Sequence, residues 1–160
     1  MKFRLLALAL GASLAAGLAG AAAGADCGYA EVRICASLEE AAPAGSGPVL
    51  LVFFSTDCPV CYDDLFESRY LVDRGGFGLA VVGVFSGRRE DLRIFLEKYG
   101  WGLPVVLDRK KVLFRKFKVD AVPYKALLLG TEAAYRDDPR RDLAGRREEL
   151  KQCLTRLFSR

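Results

Sequence analysis

Val49-Leu50-Leu51-Val52-Phe53-Phe54-Ser55-Thr56-Asp57-Cys58-Pro59-Val60-Cys61 decides how the rest of this 160-residue chain is read. A continuous apolar run of six residues suits a strand buried on both faces. Ser55-Thr56-Asp57 breaks the run. Pro59 then fits the first position of a helix, where its missing N–H costs nothing. Cys58 therefore falls at a strand-to-helix turn, and Cys61 follows one helical turn later. Two sulfurs at that spacing can close a small disulfide ring with modest movement.

A helix start favours negative charge on Cys58 through its free N–H groups and macrodipole. The attacking species in disulfide exchange is the thiolate. A thiol with a pKa near 8.5 is about three per cent ionised at pH 7, and one near 7 is about half ionised. Attack on a substrate disulfide is therefore assigned to Cys58, and resolution of the mixed disulfide to Cys61. The competing readings are a static bridge and a metal pair. A bridge closing so short a loop adds little chain-entropy stabilisation. A metal would need more ligands, and the sequence has no second pair of this kind.

Outward from this segment the pattern alternates. A helix is expected from Pro59 to about Val72, stopped by Gly75-Gly76. Leu79–Phe85 reads as a second buried strand, Arg88–Tyr99 as a helix ended by Gly100, and Pro104–Leu107 as a third short strand. Lys111–Val119 reads as a short helix and Tyr124–Leu129 as a fourth strand. Gly130-Thr131 can turn that strand into an antiparallel partner over Glu132–Arg136, and Leu143–Phe158 closes the chain as an amphipathic helix. Upstream, Tyr29–Ile34 alternates like a short edge strand, Ser37 can cap a brief helix, and Pro43–Pro48 is a loop. The expected fold is α/β, a central mixed β-sheet with helices on both faces.

The N-terminus reads differently. Met1-Lys2-Phe3-Arg4 is basic, Leu5–Ala23 is apolar, and Ala23-Gly24-Ala25 has the small residues of a cleavage site. These three parts make residues 1–25 a secretory signal peptide. An uncleaved membrane anchor competes, because the apolar run approaches spanning length. Its Ala/Gly richness and its Ala-x-Ala ending favour cleavage. Residues 26–47 then form an N-terminal extension and 48–160 the main domain. The expected location is periplasmic or secreted, where disulfides persist.

Charge and composition exclude much else. The net charge of +4 includes Lys2 and Arg4 of the leader, so the remaining excess makes no case for nucleic acid. The chain has no histidine. A Ser-His-Asp or Cys-His nucleophile system cannot be built, and histidine metal sites are gone. Tyr62 after Cys61 excludes a c-type haem attachment site.

The segment around Cys58 and Cys61 resembles the active-site segment of the thioredoxin superfamily. Within it, the TlpA-like exported thiol–disulfide oxidoreductases are the most similar branch. Tyr99–Asp108 (Tyr-Gly-Trp-Gly-Leu-Pro-Val-Val-Leu-Asp) resembles that branch's third-strand segment. Phe117–Pro123 (Phe-Lys-Val-Asp-Ala-Val-Pro) resembles its approach to a cis-proline. The likeness implies a thioredoxin-like fold over 48–160 and a cis Pro123 facing the cysteine pair. It also implies that Val122, Pro59 and Val60 meet an incoming substrate chain. It further implies exchange with protein or peptide disulfides, no bound cofactor beyond the Cys58–Cys61 disulfide, no metal, and a membrane-bound thiol donor as the source of electrons. The direction expected is reduction. A thiol oxidase or isomerase would use the same residues, and a redox-inactive binding module of the same fold is the non-enzymatic alternative.

The chain departs from the family in three places. Asp57 stands before the first cysteine, where Trp is usual, and a carboxylate there opposes thiolate formation. Val52 occupies the position of the buried strand Asp of cytoplasmic thioredoxins. Asp64 stands three residues after Cys61, where the branch often has Glu. Asp64 is a candidate for handling the Cys61 proton, and a solvated helix carboxylate is the plain alternative. Peroxiredoxin chemistry is disfavoured because Leu51 holds the proline position of the Pro-x-x-x-Thr/Ser-x-x-Cys pattern. A copper-delivery role is disfavoured by the missing histidine.

Three cysteines remain. Cys27 and Cys35 could form a structural disulfide, with a free or intermolecular Cys27 as the competitor. Cys153 lies among the leucines of the last helix and reads as a buried, inert thiol. Trp101 reads as a packing residue, with a place near the substrate face as the alternative.

Overall fold

In the computed structural model the described residues are 32–158. The strands are β1 (Ile34–Cys35), β2 (Val49–Phe54), β3 (Ala80–Phe85), β4 (Val105–Leu107), β5 (Tyr124–Leu129) and β6 (Glu132–Arg136). The helices between and after them are α1 (Leu38–Ala41), α2 (Pro59–Gly75), α3 (Arg89–Tyr99), α4 (Val112–Phe117) and α5 (Leu143–Phe158). One sheet has the order β1-β4-β3-β2-β5-β6. Strands β1, β4, β3 and β2 run parallel to one another; β5 is antiparallel to both β2 and β6.

The apolar run that opens the reading becomes β2, in the middle of this sheet, and every one of its residues is buried. Successive strand side chains point to opposite faces. Leu50, Val52 and Phe54 pack with Cys61 and Leu65 of α2, Leu92 and Leu96 of α3, and Leu150 and Leu154 of α5. Leu51 and Phe53 pack on the other face with Ala41 of α1 and Phe117 of α4. A strand needed by two cores has no polar position to spare, which is why the run does not alternate.

Aromatic rings tie α2 to the sheet through α3. Phe54 lies 5.4 Å from Phe95, Phe95 4.8 Å from Tyr99, and Tyr99 4.2 Å from Tyr62, the residue after Cys61. Phe66, one turn along α2, meets the buried Trp101 edge-on at 5.5 Å. Trp101 is thus a packing residue. Gly76 and Gly100 end α2 and α3 in the left-handed region, at φ 61 and 62, which a residue without Cβ adopts freely.

The sheet begins earlier than position 48. β1 pairs with β4, Cys35 and Ala41 are buried in the core, and α1 is capped by Ser37 through the Glu40 N–H. Part of the segment read as an extension therefore belongs to the domain. The strand expected over Tyr29–Ile34 is found as Ile34–Cys35, and positions 29–31 lie outside the described residues. The same holds for the leader and for Cys27. No helix among the described residues is long and apolar enough to cross a membrane.

Candidate active site

Cys58 is the N-cap of α2, extended at φ −98 and ψ 107, and Pro59 follows as the first helical residue. The Cys58 N–H donates to the Ser55 carbonyl and the Cys61 N–H to the Cys58 carbonyl, so a tight turn delivers both sulfurs to one place. They are joined as a disulfide, with the Cα atoms 5.3 Å apart. Cys58 is partly exposed, whereas Cys61 is fully buried. That asymmetry suits an outer attacking sulfur and an inner resolving one.

The Val122–Pro123 peptide bond is cis, and the Val122 carbonyl oxygen lies 3.9 Å from Cys58 Sγ. Pro123 is buried, Val122 is partly exposed, and Pro59 and Val60 are exposed at the helix start. Val122 is thus the residue of this loop that meets Cys58, while Pro59 and Val60 lie on the exposed first turn that follows it. Asp57 is exposed, and its N–H donates to Ser55 Oγ.

Asp64 is not a solvated carboxylate. It is fully buried one turn beyond Cys61. Its Oδ2 accepts from Lys125 Nζ at 2.7 Å and its Oδ1 from Arg147 Nε at 3.0 Å. Lys125 is itself fully buried and lies 3.4 Å from Asp137 Oδ2. Asp137 accepts the Lys125 backbone N–H at 2.9 Å, and its own N–H donates to the Lys125 carbonyl. Arg146 Nη1 approaches Asp137 at 3.5 Å and donates to the Pro123 carbonyl at 2.9 Å. Arg147 also pairs with Glu67. Three cations meet three carboxylates, as burial requires. The network connects the helix that carries Cys61, the strand that follows Pro123, and α5.

Lys125, Asp137, Arg146 and Arg147 were not singled out from the sequence. One signal was present: a lysine inside the strand run Tyr-Lys-Ala-Leu-Leu-Leu, where a buried cation implies a buried carboxylate. Lys125 sits directly across from Val52 on the neighbouring strand. The carboxylate missing from β2 is thus supplied to the same side of the sheet from α2.

Cys153 is buried in α5, and burial pushes its thiol pKa up. Cys35 is buried and has no disulfide partner among the described residues, its expected partner Cys27 lying outside them; as a thiol its pKa is raised first by burial and then by the Glu40 charge. Among the described residues no group of three or more Cys, Asp or Glu side chains is placed to hold a metal ion.

Residues 35–136 match the AhpC/TSA family. The chain belongs to that family. Its fold is shared with solved thioredoxin-like structures. StoA from Bacillus subtilis superposes with a TM-score of 0.55 at 20% identity, over 69% of this chain and 84% of the other. The putative thiol:disulfide interchange protein DsbE from Chlorobium tepidum gives 0.59 at 21% identity, over 71% and 81%. A secreted Mycobacterium tuberculosis disulfide oxidoreductase gives 0.54 at 16% identity, over 69% and 82%. No curated protein sequence matches the chain. The chain is thus an AhpC/TSA member with a thioredoxin-like fold, and the Cys58–Cys61 disulfide stands at the start of its α2.

Proposed function

We propose that this AhpC/TSA member is an exported, periplasmic or secreted reductase of protein disulfides. The observation that carries the reading is the Cys58–Cys61 disulfide at the start of α2, its outer sulfur 3.9 Å from the Val122 carbonyl. In the dithiol state the Cys58 thiolate attacks one sulfur of a substrate disulfide. A mixed disulfide forms, and the first substrate sulfur leaves as a thiolate that takes a proton. Cys61 then loses its proton and attacks Cys58 Sγ. The second substrate thiolate leaves, two electrons have passed to the substrate, and Cys58–Cys61 is again a disulfide.

Val122, Pro59 and Val60 line the edge where a substrate chain would lie beside Cys58. Asp64 handles the Cys61 proton from one turn away, with Lys125 and Arg147 fixing its position. A membrane-bound dithiol donor returns two electrons to the pair. Neither a metal nor another cofactor enters the cycle. The basic and apolar leader ending in Ala23-Gly24-Ala25 supports export.

Reduction of insulin by the wild type and not by Cys58→Ser is the decisive test. Equal activity in both proteins would remove the pair from the chemistry. A redox titration of Cys58–Cys61 fixes the direction, since about 30 mV shifts the exchange equilibrium by about 1.4 kcal/mol. A potential far above those of reducing thioredoxins would assign the protein to disulfide formation instead. Asp64→Asn is expected to change the pH profile of Cys61 alkylation, and an unchanged profile would leave Asp64 a packing role only.

A further inference from the structure

Six cations lie between positions 109 and 118 with no carboxylate among them: Arg109, Lys110, Lys111, Arg115, Lys116 and Lys118. All six are exposed, and none has an ion-pair partner among the described residues. Elsewhere cations and carboxylates are interleaved, and many of them pair. Arg69 pairs with Asp73, Arg88 with Asp91, Arg93 with Glu90 and Glu97, and Arg141 with Glu149. α4 and its two flanks thus carry a run of six unpaired cations in ten positions with no interleaved carboxylate.

The nearby carboxylates do not cancel it. Asp108 is buried, and its oxygens accept the backbone N–H groups of Val112, Leu113 and Phe114. Glu39 shares a cavity wall with Lys116 and Asp120 another with Lys111, so two exposed carboxylates stand against six cations. Two of the lysines sit where a side chain is conformationally disfavoured. Lys111 has φ 53 and Lys118 has φ 55, in the left-handed region that suits glycine.

This surface adjoins the exchange site. Lys111 lines a cavity of about 300 Å³ together with Ser55, Phe114, Asp120 and Val122. Val122 is the residue whose carbonyl faces Cys58 Sγ. A polypeptide held beside Cys58 would continue across α4.

We propose that α4 and its flanks dock an acidic segment of the polypeptide whose disulfide is exchanged at Cys58. The proposal rests on the reading of the pair as an oxidoreductase site and adds its substrate class. Six unpaired cations attract such a segment over several ångströms and orient it before contact, an effect that salt screens.

The test uses peptides that share one disulfide loop and differ only in flanking runs of Asp, Lys or Ser, with neutral hydroxyethyl disulfide as a small substrate. At about 20 mM salt the Asp peptide is expected to react roughly tenfold faster than the Lys peptide, with the gap closing at about 0.5 M. The variant Lys110→Ser/Arg115→Ser/Lys118→Gly, which leaves the exchange cavity untouched and relieves the strained φ at position 118, should shrink the gap to about threefold. Its rate with hydroxyethyl disulfide and its urea midpoint should match the wild type. Equal rates for the three peptides, or a gap that survives the variant, overturns the proposal. So does retention on phosphatidylglycerol vesicles with no peptide preference, which would assign the surface to a membrane. Failure to reduce hydroxyethyl disulfide at all would instead sink the oxidoreductase reading beneath it.

Discussion

Lys125 Nζ lies 2.7 Å from Asp64 Oδ2, and neither side chain has any exposure to solvent. Each charge offsets the burial of the other, with Arg147 also on Asp64 and Asp137 also beside Lys125. Lys125→Met is expected to destabilise the protein by about 3–5 kcal/mol, because Asp64 and Asp137 would stay buried without their shared cation. Pairing it with Asp64→Leu should recover part of the loss, since a buried ion pair can be replaced by apolar groups at little net cost. Urea midpoints of the two single variants and the double variant check this. Losses that simply add would mean that the pair is not coupled.

Stability should fall in alkali, for reasons visible in three buried acids and one partly buried one. Burial is the first cause that raises the Cys35 and Cys153 thiols above 9.0 and the Tyr124 and Tyr135 phenols above 10.0; for Tyr135 the bond to Asp137 adds to it. The folded state then holds protons that the unfolded chain has released. Their contribution is complete below about pH 9 and is lost as the pH climbs through the raised values. Urea midpoints between about pH 8 and 11 should decline, and Tyr135→Phe should decline less steeply. That variant should also cost about 1–3 kcal/mol at neutral pH, since Tyr135 Oη lies 2.7 Å from Asp137 Oδ1 and its donor would be lost. Equal slopes in the two proteins would exclude Tyr135 from the effect.

What could be read in advance was what lies close along the chain. The strand over Val49–Phe54, the break at Ser55 and the Pro59 helix start are contiguous, and local pattern suffices to place Cys58 between them. The order of the later elements follows from the same alternation of apolar runs and helix stops. The ionic network is another matter. Lys125 and Asp64 are 61 positions apart, and Arg147 and Asp64 are 83 apart. Nothing local distinguishes Arg147 from the paired surface arginines of a solvated helix face. Only the fold places α5 over Asp64. The two-residue strand β1 was equally hard to bound, because its length is set by how much of β4 is free to pair.

Thiol reactivity should separate the cysteines. After reduction, Cys58 is the partly exposed sulfur at a helix start, whereas Cys61 is fully buried. Cys35 and Cys153 are buried with raised pKa values, so at pH 7 almost none of either is thiolate. Brief iodoacetamide treatment of the native dithiol protein should modify Cys58 at least about tenfold faster than any of these three. Peptide mapping by mass spectrometry reads the order. Labelling of Cys153 at a comparable rate would mean that α5 opens readily, against its packing on Leu50 and Val52 of β2.

Removing the inner sulfur should stop the cycle halfway. Cys61 is the group placed to attack Cys58 Sγ, and α2 holds it there through the Cys61 N–H to Cys58 carbonyl bond. With Cys61→Ser the first exchange still proceeds, since it needs only the Cys58 thiolate. The hydroxyl of serine is too weakly acidic to take over the second step. A stable mixed disulfide between Cys58 and a substrate chain is therefore expected on non-reducing gels, and it should vanish with dithiothreitol. Cys58→Ser should trap nothing, because the buried Cys61 cannot reach an external disulfide. Trapping through Cys61 would reverse the two roles and require that α2 unwind at its first turn to expose the inner sulfur.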